Sequence, residues 1–193
     1  MRYEAIVIGV SSGGMNAMKA LFANLPKDFK LPVIIVQHVS QHSDNIWIQL
    51  LNDKSSLEIK EADEKERIEN GKVYIAPSNY HLLVEKDKTF SLSTDERVNF
   101  ARPSIDVLFE TAADAYKQTL IGVVLTGSNN DGSRGLKQIK ELGGLTIVQQ
   151  PQTAESPYMP ASAIATSQPD YILPLEEIIK LLIEIEIHNE KEK

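Results

Sequence analysis

Short apolar runs alternate along the chain with segments whose apolar positions recur every three or four residues. Continuous, largely β-branched runs at residues 5–8, 33–36, 120–125 and 145–148 suit strands covered on both faces of a parallel sheet. Shorter runs at residues 57–59, 73–76 and 171–173 predict further strands. Helical spacing appears at Ala17, Met18, Leu21, Phe22 and Leu25, and at Ile46, Trp47, Leu50 and Leu51. It recurs at Ile105, Leu108, Phe109 and Ala112, at Leu136, Ile139 and Leu142, and at Leu175, Ile178, Ile179, Leu182 and Ile185. A further short helix is expected over residues 161–166. Ser43 and Asp44 are candidate caps for the second helix, Pro103 and Ser104 open the third, and Gly143 and Gly144 close the fourth. Residues 81–93, with Lys86-Asp87-Lys88 at their centre, read as a hairpin. The polar tail from His188 is expected to fray.

Strands alternating with helices predict an α/β fold: a doubly wound, mostly parallel sheet with helices on both faces and one antiparallel β-hairpin. No linker, repeat or low-complexity block interrupts the pattern, so residues 1–193 are read as a single domain. Its 193 residues can bury a substantial core.

Composition narrows the chemistry. A net charge of -7 argues against a nucleic-acid or anionic-membrane partner, both of which favour a basic face. The absence of cysteine removes disulfides, thiolate catalysis and Cys-ligated zinc, and fits a cytoplasmic protein. No apolar stretch reaches the length of a membrane span, and the chain starts directly on a core strand without a signal-peptide pattern. The acidic stretch at residues 61–69 reads as a solvated face. Neither spaced histidines nor a carboxylate cluster suggests a metal site.

The first strand runs into Gly9-Val10-Ser11-Ser12-Gly13-Gly14 and then a helix. This fits the G-x-S-x-G turn that leaves a serine hydroxyl exposed at a helix N-terminus. A phosphate-cradling loop and a plain structural turn are the competing readings. In doubly wound sheets ligands bind beyond the carboxyl ends of the strands. There the sequence places Ser11, His38 and Asn129-Asn130-Asp131: the composition of a nucleophile, a base and an orienting carboxylate. Taken singly, His38 could be a hydrogen-bonded core histidine and Asp131 an N-cap of its own helix. His42, His81 and His188 have no such placement and receive no role.

Taken together, Ile8-Gly9-Val10-Ser11-Ser12-Gly13-Gly14, Gln37-His38, Tyr74-Ile75-Ala76-Pro77, Arg102-Pro103-Ser104-Ile105-Asp106, Leu125-Thr126-Gly127, Asn130-Asp131-Gly132 and Met159-Pro160 resemble, in order and spacing, the catalytic domain of CheB-type protein-glutamate methylesterases. The resemblance implies a cytoplasmic serine hydrolase that removes methyl groups from glutamyl esters on chemoreceptor helices, with glutamine deamidation as a related activity. It puts the triad on Ser11, His38 and Asp131 and the oxyanion and substrate contacts at Ser12, Gly13 and Ser128, with no cofactor or metal. Ser128 stands where the family usually has methionine, and Tyr158 where it usually has glycine. Typical members carry an N-terminal receiver domain; here the catalytic strand lies a few residues from Met1, so a separate regulatory protein, or none, is expected in its place. An esterase for another substrate, or a non-catalytic anion- or nucleotide-binding module on the Gly/Ser turn, are the alternatives.

Overall fold

A computed structural model describes residues 2–38 and 46–191. The candidate caps Ser43 and Asp44, and His42, lie outside the described residues.

The strands are β1 (Ala5–Val10), β2 (Val33–Gln37), β3 (Glu58–Glu61), β4 (Lys72–Ile75), β5 (His81–Val84), β6 (Phe90–Ser93), β7 (Leu120–Val124), β8 (Leu145–Gln149) and β9 (Tyr171–Leu173). Seven of them form one sheet in the order β3-β4-β2-β1-β7-β8-β9, and every pairing in it is parallel. Strands β5 and β6 form a separate antiparallel pair. The expected architecture is therefore present, with the hairpin set apart from the main sheet.

The helices are α1 (Gly14–Asn24), α2 (Ile46–Asn52), α3 (Ile105–Tyr116), α4 (Ser133–Glu141), α5 (Tyr158–Ser167) and α6 (Leu175–Lys191). Successive residues of a strand point to opposite faces, so β1 feeds two cores. Ile6, Ile8 and Val10 pack with α1, α2 and α6. Ala5 and Val7 pack with α3, α4, α5 and the hairpin. This double burial explains why the central strands are uniformly apolar rather than alternating.

Three details depart from the sequence pattern. Strands β3 and β4 are parallel neighbours without a helix between them. The charged connection instead lies along the hairpin, with Lys65 N–H donating to Phe90 O (2.9 Å), Phe90 N–H to Glu66 O (2.9 Å) and Ile68 N–H to Lys88 O (3.0 Å). Most of its side chains stay exposed, as expected. Helix α5 is longer than the predicted 161–166. The tail is helical through Lys191 rather than frayed from His188. Asn189 ties it to the N-terminal segment, accepting from Tyr3 N–H (3.1 Å) and donating to Tyr3 O (3.0 Å).

Candidate active site

Chain order changes direction at β1. The chain passes from β1 to β2 on one side and later returns through β7 on the other. The carboxyl ends of β2, β1 and β7 are thus adjacent, at the switch point where such sheets bind ligands. Ser11 follows β1, His38 follows β2, and the loop after β7 brings Asp131 to the same edge.

The sharp turn after β1 depends on Gly13, whose φ of 80° is costly for a residue with a Cβ. Ser11 N–H is committed to Thr126 O (3.0 Å), and Gly14 N–H closes the turn on Ser11 O (2.9 Å). No side chain caps the start of α1. The amino end of this helix, with its partial positive charge, therefore faces the site beside Ser11. Ser12 Oγ lies 2.8 Å from Ser128 Oγ across the mouth. Thr126 locks the two loops together, its Oγ1 donating to Ser12 O (2.8 Å) and accepting from Ser156 N–H (2.8 Å).

The three expected residues form one chain of contacts. His38 Nδ1 is 3.2 Å from Ser11 Oγ, and His38 Nε2 is 2.9 Å from Asp131 Oδ2. A carboxylate oxygen only accepts, so Nε2 carries the imidazole proton and Nδ1 presents its lone pair. Asn129 Nδ2, 3.2 Å from Nδ1, donates to the same lone pair. Gln37, the last residue of β2, donates from Nε2 to Ser11 O (3.1 Å) and His38 O (2.8 Å), holding nucleophile and base in register.

Asp131 is fully buried. It does not cap its own helix, because Gly132 stands at the N-cap of α4. It sits instead on the amino end of α3. Its Oδ2 accepts from Ile105 N–H (2.7 Å), and its Oδ1 from Asp106 N–H (3.0 Å), Ser104 Oγ (2.9 Å), Asn99 Nδ2 (3.1 Å) and Gly132 N–H (3.1 Å). Burial pushes its pKa up, but the bonds from His38 and the backbone N–H groups of Asp106 and Ile105 outweigh that and hold it below the usual carboxylate range. It is therefore an ionised carboxylate beside the imidazole. Helix α3 reaches it because Ile105 packs against two glycines. A Cβ on Gly9 would fall 2.3 Å from Ile105 Cγ2, and one on Gly132 2.6 Å from the same atom.

Burial raises the pKa of neighbouring Asp106. Its carboxylate accepts from Gly135 N–H (2.8 Å) and Asn99 Nδ2 (2.9 Å), so Asn99 bridges two carboxylates. His81 is buried; its Nδ1 accepts from Ser104 N–H (3.2 Å) and its Nε2 donates to Glu96 O (3.0 Å), fixing the entry to α3. His188 is on α6, with Nδ1 2.7 Å from Glu184 O. Among the described residues, no group of histidines and carboxylates could hold a metal ion. Sequence reasoning missed Asn99, Asn129 and Gln37 as site residues. Asn129 and Gln37 were visible only as neighbours of Asp131 and His38, and Asn99 lies in a stretch without periodicity.

The arrangement can move a proton from a serine hydroxyl to an imidazole steadied by a buried carboxylate, next to an uncapped helix terminus suited to an oxyanion. A sequence model described as CheB methylesterase matches residues 6–182. The chain belongs to this family. A Leptospira interrogans protein, named as a candidate protein-glutamate methylesterase/protein-glutamine glutaminase, is 58% identical over 189 residues, covering 98% of each chain. A Clostridium acetobutylicum protein-glutamate methylesterase/protein-glutamine glutaminase is 36% identical over 182 residues, 94% of this chain but 53% of its own length. The chain thus spans nearly all of one CheB relative and about half of the other. The crystal structure of the Thermotoga maritima CheB methylesterase catalytic domain superposes with a TM-score of 0.90 at 35% identity, covering 96% of this chain and 100% of that one.

Proposed function

We propose that the chain is a single catalytic domain that hydrolyses γ-glutamyl methyl esters on chemoreceptor helices, with Ser11 as nucleophile, His38 as general base and Asp131 as the orienting carboxylate. The observation that carries this reading is the unbroken contact chain Ser11–His38–Asp131 in a member of the CheB methylesterase family. His38 Nδ1 takes the hydroxyl proton as Ser11 Oγ attacks the γ-carbonyl. Negative charge develops on the carbonyl oxygen and is met by N–H groups at Ser12 and Gly13, with Ser128 on the opposite wall. The tetrahedral intermediate collapses, His38 returns the proton to the leaving oxygen, and methanol departs. Water, deprotonated by His38, then attacks the acyl-enzyme and frees the glutamate and the serine. Asp131 keeps the tautomer and stabilises the imidazolium in both halves. No cofactor or metal enters these steps.

The same steps deamidate a glutamine when ammonia replaces methanol as the leaving group, in keeping with the glutaminase half of the relatives' names. We place the protein in the cytoplasm, with a separate regulatory protein as its control; among the described residues no helix is long and apolar enough to cross a membrane. The test is methanol release from a methylated receptor fragment. Wild type is expected to release it, and Ser11→Ala about a thousand-fold more slowly or worse, with an unchanged circular dichroism spectrum. Equal release by both would exclude the reading.

A further inference from the structure

Arg97 and residues 99–102 form a wall of the cavity above Ser11 and His38, a space of about 320 Å³. Val98 N–H donates to Ala101 O (3.1 Å) and Ala101 N–H to Val98 O (2.9 Å), which closes a two-residue turn. Both central residues have positive φ, 51° at Asn99 and 63° at Phe100. Such a turn favours Asn-Gly. Asn99 suits it, but a bulky aromatic at the second position is strained. That strain is not relieved by packing, because Phe100 is 95% exposed. Conformational cost without intramolecular contact is characteristic of groups kept for what they meet outside the chain.

The turn is nonetheless held firmly. Asn99 Nδ2 spans Asp131 Oδ1 and Asp106 Oδ2, which ties the tip to the carboxylate behind His38. At the base, Arg102 Nη1 donates to Thr94 O (2.6 Å) and Asp95 O (3.0 Å). Its Nε is buried with no hydrogen-bond partner. Arg97 Nη1 lies 3.4 Å from Phe100 O. Among the described residues lining the cavity there is no carboxylate, while Arg97 and Arg102 both do so. The mouth is therefore cationic on a chain whose net charge is -7.

We propose that this turn is a specificity element: Phe100 docks on an apolar side chain of the substrate helix, and Arg97 meets a carboxylate one turn away from the esterified glutamate. The proposal rests on the methylesterase reading and deepens it by naming the surroundings of the ester as part of what is recognised. The partner is an acidic amphipathic helix, on which residues three and four apart share a face and so can offer an apolar group and a carboxylate together to one aromatic and one arginine. A small soluble ester lacks both.

The experiment compares kcat/KM on a methylated receptor helix fragment with kcat/KM on N-acetyl-glutamate γ-methyl ester amide, for wild type, Phe100→Gly and Arg97→Gln. Phe100→Gly relaxes the backbone, so its Tm is expected to equal or exceed that of wild type, which separates recognition from folding. Its protein-to-small-ester ratio is expected to fall about ten-fold, mainly through KM. Arg97→Gln is expected to lower the ratio and flatten its dependence on sodium chloride. Turnover of both esters by wild type, with ratios unchanged in both variants, overturns the inference alone. Turnover of neither ester by wild type overturns the methylesterase reading and the inference with it.

Discussion

Asp131 is the residue whose surroundings decide most. Six donors converge on a carboxylate with no exposed surface, and five of them come from positions other than His38. Such a group organises the fold as well as the imidazole. Replacement by Asn would put an NH2 against buried donors, at a cost of about 1–3 kcal/mol for each group left unsatisfied. Asp131→Asn is therefore expected to lower kcat by roughly 10³ to 10⁴ through the wrong imidazole tautomer and also to lower stability at neutral pH. The pH dependence follows from the depressed pKa. A carboxyl that titrates lower in the folded state contributes stability above its unfolded pKa, about 3.9, and loses it as pH falls through the folded value. Denaturant midpoints should thus differ most between wild type and variant near pH 7 and converge below about pH 4. A difference constant across that range would contradict the ionised assignment. Asp106, with a raised pKa, acts in the opposite sense: it contributes most below its unfolded pKa and less as pH rises through its folded value.

At the scale of elements, the site is a matter of how closely α3 approaches the sheet edge. The approach is permitted by the missing side chains of Gly9 and Gly132 beneath Ile105. Gly9→Ala is expected to cost about 1–3 kcal/mol by overpacking and to lower activity by shifting the amino end of α3 away from Asp131. In an Ile105→Ala background the added methyl group has room, so the same change should cost much less. A double-mutant cycle with a coupling energy near zero would show that the contact does not set the position of α3. The apolar runs and the helical spacing made these elements legible in the sequence, since each core is built from one face of β1. The side-on use of Asp131 was not legible. Asp before Gly at the head of a helical pattern reads locally as an N-cap, and only tertiary structure puts the carboxylate on a different helix. The length of α6 was hidden similarly: its last turns are polar in sequence, and Asn189 is held through the backbone of Tyr3.

On the scale of the whole molecule, strand order does what no single motif can. The serine, histidine and aspartate are 27 and 93 residues apart along the chain, and they meet because β2, β1 and β7 are neighbours at the switch point. The sequence placed all three at strand ends, but adjacency of those ends was an inference from fold type until the parallel register was in hand. Asn99 and the Phe100 turn were illegible for a different reason. A segment that follows neither the two-residue nor the 3.6-residue period offers no pattern to read, although it closes one side of the cavity. The most direct measurement is intact-mass and peptide analysis after treatment with a serine-directed fluorophosphonate. The account predicts a single adduct on Ser11 in wild type, formed far more slowly in His38→Ala. Labelling at another residue, or labelling of Ser11 at the wild-type rate without His38, would contradict it.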